Sequence, residues 1–155
     1  MILFIDSGVL GLLTNPNKVG KPRQCDDWLY TLLAKGVYVV SSDICDYEVR
    51  RSLLLEAQRK PNLNSVKNLD ELREIIDFLK LDSVVIFKAA EVWMEARLQG
   101  KPTADDYSLD VDMIIAAHWQ LLKEEFPNRY LVIATTNVKH LSQFAEALSW
   151  EEIQL

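Results

Sequence analysis

Short apolar runs, each halted by a cluster of small polar or acidic residues, are what most limits the folds open to this chain. Ile2-Leu3-Phe4-Ile5 stops at Asp6-Ser7, the run from Val37 stops at Ser41-Ser42-Asp43, and the run from Tyr130 stops at Thr135-Thr136-Asn137. Runs that are apolar on both faces fit strands of a parallel sheet covered by helices better than half-exposed antiparallel strands, which alternate. Between them the sequence reads as helix. Residues 23–35 carry Trp28, Leu29, Leu32 and Leu33 at helical spacing and are closed by Gly36. Residues 43–59 are led by Ser and Asp, and 65–80 place Val66, Leu69, Leu72, Ile75, Ile76 and Leu79 on one stripe. Residues 88–99 and the very apolar 111–125 complete the set, with a short helix expected from Val9 to about Leu13. Residues 83–87 (SVVIF) read as a further strand, and 15–22 and 100–110 as polar loops.

Strands alternating with helices, without a hairpin dipeptide or an internal repeat, predict a three-layer α/β/α sandwich around a central, mostly parallel sheet. The 155 residues have the size of one domain, so 1–155 is read as a single unit. A hydrophobic content of 49% with 26% charged residues is that of a soluble globular protein. Cys25 and Cys45 stand alone, without a CxxC pair, which supports neither a zinc site nor a disulfide framework and makes a reducing cytoplasm the expected setting. No stretch approaches the roughly 18 apolar residues of a membrane span, so no membrane partner is expected. A net charge of -6 weighs against a broad basic surface for duplex DNA. Carboxylates gathered to hold a divalent cation would give the same balance, because the bound ion reverses the local field.

In open α/β sheets ligands collect beyond the carboxyl ends of the strands, which makes Asp6 a candidate site residue. The competing explanation is that Asp6 or Ser7 caps the next helix. Glu48 falls on the apolar stripe of its helix and needs a partner there; a pair with Arg51 at i+3 or a tilt to solvent would satisfy it without function. Asp112 opens the most apolar helix, where an unpaired buried carboxylate would be costly, so it must cap, pair or bind a cation. Asp110, two residues earlier, lies about 200° away on a continuous helix. The two aim at one point only if Asp110 is the N-cap and Asp112 the second helical residue. Jointly, Asp6, Glu48, Asp112 and Asp110 would converge over the carboxyl edge of the sheet and suit Mg²⁺ or Mn²⁺.

The pieces FIDSGVL (4–10), SSDICDYEVRR (41–51), DMIIAAH (112–118) and ATTNVKHL (134–141) resemble, in order and spacing, the PIN-domain family of metal-dependent nucleases. Within that family they are similar to the VapC-type toxins of toxin–antitoxin pairs. The resemblance implies that Asp6, Glu48 and Asp112 are the acidic metal residues, joined by Asp110. Asn137 stands near the family's fourth acid, with Thr135 beside it, and Ser7 follows the first acid. Ser7, Thr135, Asn137 and Arg51 are expected to position substrate, with Arg50 an alternative to Arg51. The implied activity is a Mg²⁺- or Mn²⁺-dependent endoribonuclease acting on RNA, a homodimer with an antitoxin partner laid across its active-site side.

Other functions fit less well. Phosphatases of the haloacid-dehalogenase type place a second Asp two residues after the first, where this chain has Gly8. A receiver domain would need an acidic pair and a strand-end Lys. His118 reads as a core histidine, and Trp28, Trp93 and Trp119 as packing. A module of the same fold that binds RNA or a protein without turnover is the remaining alternative.

Overall fold

A computed structural model describes residues 1–61, 65–101, 103 and 110–155. Its sheet contains β1 (Ile2–Ile5), β2 (Tyr38–Ser42), β3 (Asp77–Leu79), β4 (Leu131–Thr135) and β5 (Ala147–Ser149) in the order β3-β2-β1-β4-β5. Every neighbouring pair is parallel. The central strand is β1, where Ile2 stands opposite both Tyr38 and Leu131 and all four residues are completely buried. That placement explains an apolar run with no alternation.

The helices are α1 (Ser7–Thr14), α2 (Lys21–Ala34), α3 (Asp43–Arg59), α4 (Ser65–Ile75), α5 (Ser83–Leu98), α6 (Val111–Glu125) and the single turn α7 (Val138–Leu141). Helices α1 to α4 pack on one another and α5 packs on α6, giving the expected α/β/α layers. Gly36, at φ 77°, turns the chain out of α2 into β2. No helix among the described residues is long and apolar enough to cross a membrane. Most of the polar loop expected over 100–110 lies outside the described residues; Asp110 lies within them.

Two expectations are corrected. Residues 83–87 are the start of α5, not a strand: Asp82 caps it by accepting from Val85 N at 3.0 Å, and Val85, Ala89, Val92 and Ala96 form the buried stripe. The expected helix 65–80 ends at Ile75, and Asp77–Leu79 pairs with Val40–Ser42 as β3. The stripe itself is packing, since Leu69, Leu72 and Ile76 enter the core. Strand β5 has no counterpart in the sequence reading.

The acid buried by α3 is Asp46, 5% exposed, rather than Glu48, which is half-buried. Arg50 grips Asp46 through Nε and Nη2 at 2.6 and 3.0 Å, and Arg73 of α4 donates to it at 3.0 Å. Arg73 also reaches Asp43 at 2.9 Å, and Arg50 reaches Asp70 at 2.8 Å. These hydrogen bonds outweigh the burial and hold the Asp46 carboxyl below its ordinary range. Arg50 is therefore engaged in fixing α3 to α4. The expected effect of Asp46→Ala is a loss of about 2 kcal/mol, below the range for a fully buried pair because both arginines reach solvent and keep a second acid. Urea denaturation at neutral pH measures it, and a loss within experimental error would show that the network adds nothing.

His118 is a core residue, 2% exposed, with Nε2 2.8 Å from Ser42 Oγ. Burial pushes its pKa down to about 4, against the pull of Asp82 and Asp43. Between that value and the ordinary one the unfolded chain binds the extra proton, so stability falls as pH drops from about 6.5 towards 4, by up to about 3 kcal/mol. Replacing His118 with Gln is expected to flatten this part of the stability–pH curve relative to wild type; parallel curves would assign the acid sensitivity elsewhere.

Candidate active site

At the carboxyl edge of the sheet, α1, α3 and α6 each carry part of one site. Asp6 follows β1 and is the N-cap of α1, its Oδ1 accepting from Ser7 N at 2.6 Å. The capping explanation thus holds for one oxygen. The other, Oδ2, accepts from Thr135 Oγ1 of β4 at 2.7 Å, and Thr135 Oγ1 in turn accepts from Asn137 N at 3.0 Å. Ser7 Oγ donates to Glu48 Oε1 of α3 at 2.7 Å. Asp110 is the N-cap of α6, accepting from Met113 N at 3.3 Å, and Asp112 is the second helical residue. This is the arrangement in which both acids can face one point.

Ser7 and Thr135 are thereby residues that orient the acids: one hydroxyl fixes Glu48, the other Asp6. Arg51 lies 3.9 Å from Glu48 Oε2 with its guanidinium over the Tyr47 ring, and it is largely exposed. Asn137 is exposed at the same edge and begins α7. Gly8 is required by close approach, since a Cβ there would lie 2.0 Å from Thr136 Oγ1. A side chain at this position would push the turn after β4 away from the start of α1.

The acids sense one another. Burial raises the pKa of Asp6 against the hydrogen bonds from Thr135 and Ser7, and the charges of Asp112 and Glu48 raise it further. Burial also raises that of Asp112, with Asp110 and Glu48 adding to the shift and His140 opposing it. Oxygen donors from three elements that repel one another, set at three helix N-termini, have the chemistry a hard divalent cation requires. Among the described residues no three acidic, histidine or cysteine side chains already form a finished ligand set. Both Asp6 oxygens and Glu48 Oε1 accept from protein donors: Ser7 N, Thr135 Oγ1 and Ser7 Oγ.

Sequence reasoning left His140 out of the site. Its Nδ1 stands 3.4 Å from Asp112 Oδ2. The signal was its place three residues after Asn137 in ATTNVKHL. Cys25 and Cys45 are free and buried. Cys45 lies beneath Ser7 and Ser41, its thiol pushed up to about 12 by burial. A cavity of about 220 Å³ between α5 and α6 is lined by His118, Asp82, Lys80 and Glu125 and includes none of the site acids.

The architecture is PIN-like, as the resemblance in the sequence implied. No family model matches the chain, and no curated protein matches it by sequence. Solved structures do. A chain of the VapBC2 complex from Rickettsia felis, bound to a DNA fragment from its promoter, superposes with a TM-score of 0.70 at 18% identity, covering 97% of this chain and 99% of that one. VapBC-1 from nontypeable Haemophilus influenzae gives 0.63 at 18% identity over 98% and 100%. FitAcB from Neisseria gonorrhoeae gives 0.59 at 19% identity over 99% and 100%. At such identities the likeness is one of fold, and it spans the whole of each chain.

Because its folded-state pKa is raised, the Asp112 carboxyl withdraws stability as pH rises above the ordinary carboxylate value, and at pH 7 the loss is complete. Asp112→Asn is therefore expected to be the more stable protein at pH 7 in EDTA. The gain is about 0.5 kcal/mol, kept small by solvent screening of a side chain 37% exposed. Denaturant titration of the two proteins checks this, and a less stable variant would mean that Asp112 is held mainly as a structural partner of His140.

Proposed function

We propose that the protein is a metal-dependent endoribonuclease and the toxin of a toxin–antitoxin pair. The observation that carries this reading is the convergence of Asp6, Glu48, Asp110 and Asp112 at one sheet edge, with two of them oriented by the hydroxyls of Ser7 and Thr135. Asp6, Glu48 and Asp112 would hold the cation, with Asp110 beside them. When bound, Mg²⁺ or Mn²⁺ supplies a water of lowered pKa and offsets charge developing on the phosphoryl and leaving oxygens. Ser7 and Thr135 keep the Glu48 and Asp6 carboxylates in fixed orientations, so less reorganisation is needed when substrate arrives. Arg51 and Asn137, exposed at the rim, would contact the phosphates on either side of the scissile bond. No protein nucleophile is called for: Cys45 and His118 are buried, and Ser7 is committed to Glu48.

RNA is favoured as substrate by the family resemblance, and a single-stranded or looped backbone can splay one phosphate out towards the acids. The solved complexes similar in fold are VapBC assemblies, which supports an antitoxin for this chain as well. Tyr47, Leu54 and Leu55 leave an apolar surface on α3 beside Glu48 and Arg51, suited to an antitoxin segment that covers the site. Val84, Phe87, Met94 and Leu98 of α5 are exposed at spacings of three, seven and four residues, which puts them on one face of that helix. That face suits a second copy of the chain.

The purified protein is expected to cleave a mixed set of structured and unstructured RNAs with Mg²⁺ or Mn²⁺ and to stop in EDTA. Asp6→Asn and Asp112→Asn should each lower the rate at least about 100-fold, the scale of losing one electrostatic partner of a transition state. Wild-type protein that is inert with every divalent ion tried, and whose cation binding does not depend on Asp6, would leave a binding module of this fold.

A further inference from the structure

His118 is 2% exposed, yet only one of its ring nitrogens is engaged. Nε2 stands 2.8 Å from Ser42 Oγ, and among the described residues no partner meets Nδ1. Every fully buried side-chain N or O of those residues has a hydrogen bond, so Nδ1 must touch open space. The space that His118 lines is the cavity of about 220 Å³, whose walls are Leu79 and Val85 on one side and Leu121 and Leu122 of α6 on the other.

Ser42 decides what Nδ1 offers. It is completely buried, and its Oγ already accepts from Ile44 N at 3.2 Å. Its own O–H still needs an acceptor, and among the described residues Nε2 is the one within reach. Ser42 therefore donates to Nε2, and the single proton of the neutral imidazole is placed on Nδ1, facing the cavity. Burial keeps the ring neutral, with its pKa pushed down to about 4. A water accepting from Nδ1 finds no second partner on the four apolar walls, where an ordered buried water needs about two to four.

Size and charge narrow what else can accept. Lys80, Asp82 and Glu125 are the exposed lining residues, one cation against two acids, a balance that disfavours an anion. At about 220 Å³ the cavity is smaller than the roughly 300 Å³ at which drug-sized sites begin, which leaves room for one ring and a small substituent.

We propose that this cavity is a binding site for a small neutral molecule of one ring carrying an amide or lactam carbonyl, whose oxygen accepts from His118 Nδ1. The ring lies between Leu79 and Val85 and the two leucines of α6. The site shares no residue with the strand-end acids and does not rest on the nuclease reading. Because Ser42 is also the N-cap of α3, the occupant extends a hydrogen-bond chain that begins at Ile44 N and strengthens the cap of the helix that carries Glu48.

The test is nuclear magnetic resonance of the full chain with ¹⁵N-labelled histidine, titrated separately with benzamide, benzoate and toluene. Before any addition His118 should carry its proton on Nδ1. Benzamide should then shift the Nδ1 signal saturably and bind at least about tenfold more tightly than benzoate or toluene, the scale of one hydrogen bond to a buried group. Leu121→Trp, which fills the cavity from a partly exposed wall position, should abolish the benzamide shift while leaving the proton on Nδ1. A proton on Nε2, no saturable benzamide shift, equal affinity for the three probes, or a benzamide shift that survives in Leu121→Trp each overturns the proposal. The first three are read on the wild-type protein and do not depend on the variant folding.

Discussion

A parallel sheet can be built only if each strand hands the chain to a crossover that returns it to the opposite edge. In this protein those crossovers are helices, so α1, α3 and α7 start directly where β1, β2 and β4 end. Helix α6 starts there too. Each start brings unpaired backbone N–H groups and the positive end of a peptide dipole to one edge. Acidic side chains are therefore tolerated at that edge more readily than anywhere else on the molecule. Asp6 and Asp110 sit at N-cap positions, Asp112 lies one residue inside the first turn of α6, and Glu48 reaches the same point from the second turn of α3.

Tolerance does not by itself give orientation, which depends on contacts across elements. The hydrogen bond from Thr135 joins β4 to Asp6, and that from Ser7 joins α1 to Glu48. The site's geometry thus depends on the β1–β4 register, which sets Ile5 against Ala134 and brings Thr135 alongside Asp6. It depends equally on how α3 is seated. The clamp of Asp46 and Asp43 by Arg50 and Arg73 fixes α3 against α4, and the Ser42–His118 contact ties its N-cap residue to α6. Contacts remote from the site acids therefore decide where Glu48 can point.

The layers and the strand-end acids were legible because both follow from local pattern. Central strands β1, β2 and β4 are buried on both faces and announce themselves as unbroken apolar runs. The polar residues that end those runs mark the edge. Ser83–Phe87 misled because Val84-Val85-Ile86-Phe87 has strand composition, whereas its conformation is fixed by the Asp82 cap and by a buried stripe that begins inside the run. Strands β3 and β5 are edge strands of three residues, too short for a period to show. At the site, helical spacing put Glu48 on the apolar face and gave no sign that Asp46 is the sequestered acid. That is decided by Arg73, far away in sequence. His140 escaped for the same reason, since its contact with Asp112 crosses from α7 to α6.

The two kinds of acid in this chain separate stability from function. Asp46 is more buried than any of the site acids, yet its carboxyl is held below the ordinary range because two arginines meet it. Asp6 and Asp112 are less buried and are pushed above that range, because hydroxyls, amides and one imidazole do not offset burial and mutual repulsion. An arginine placed among them would relieve the repulsion, and it would also fill the space that the proposed cation would take. The nearest one, Arg51, stops at 3.9 Å from Glu48 and stays in solvent. A cluster left under-compensated in this way gains most from a bound divalent ion, since an ion that binds only the folded state stabilises it by mass action.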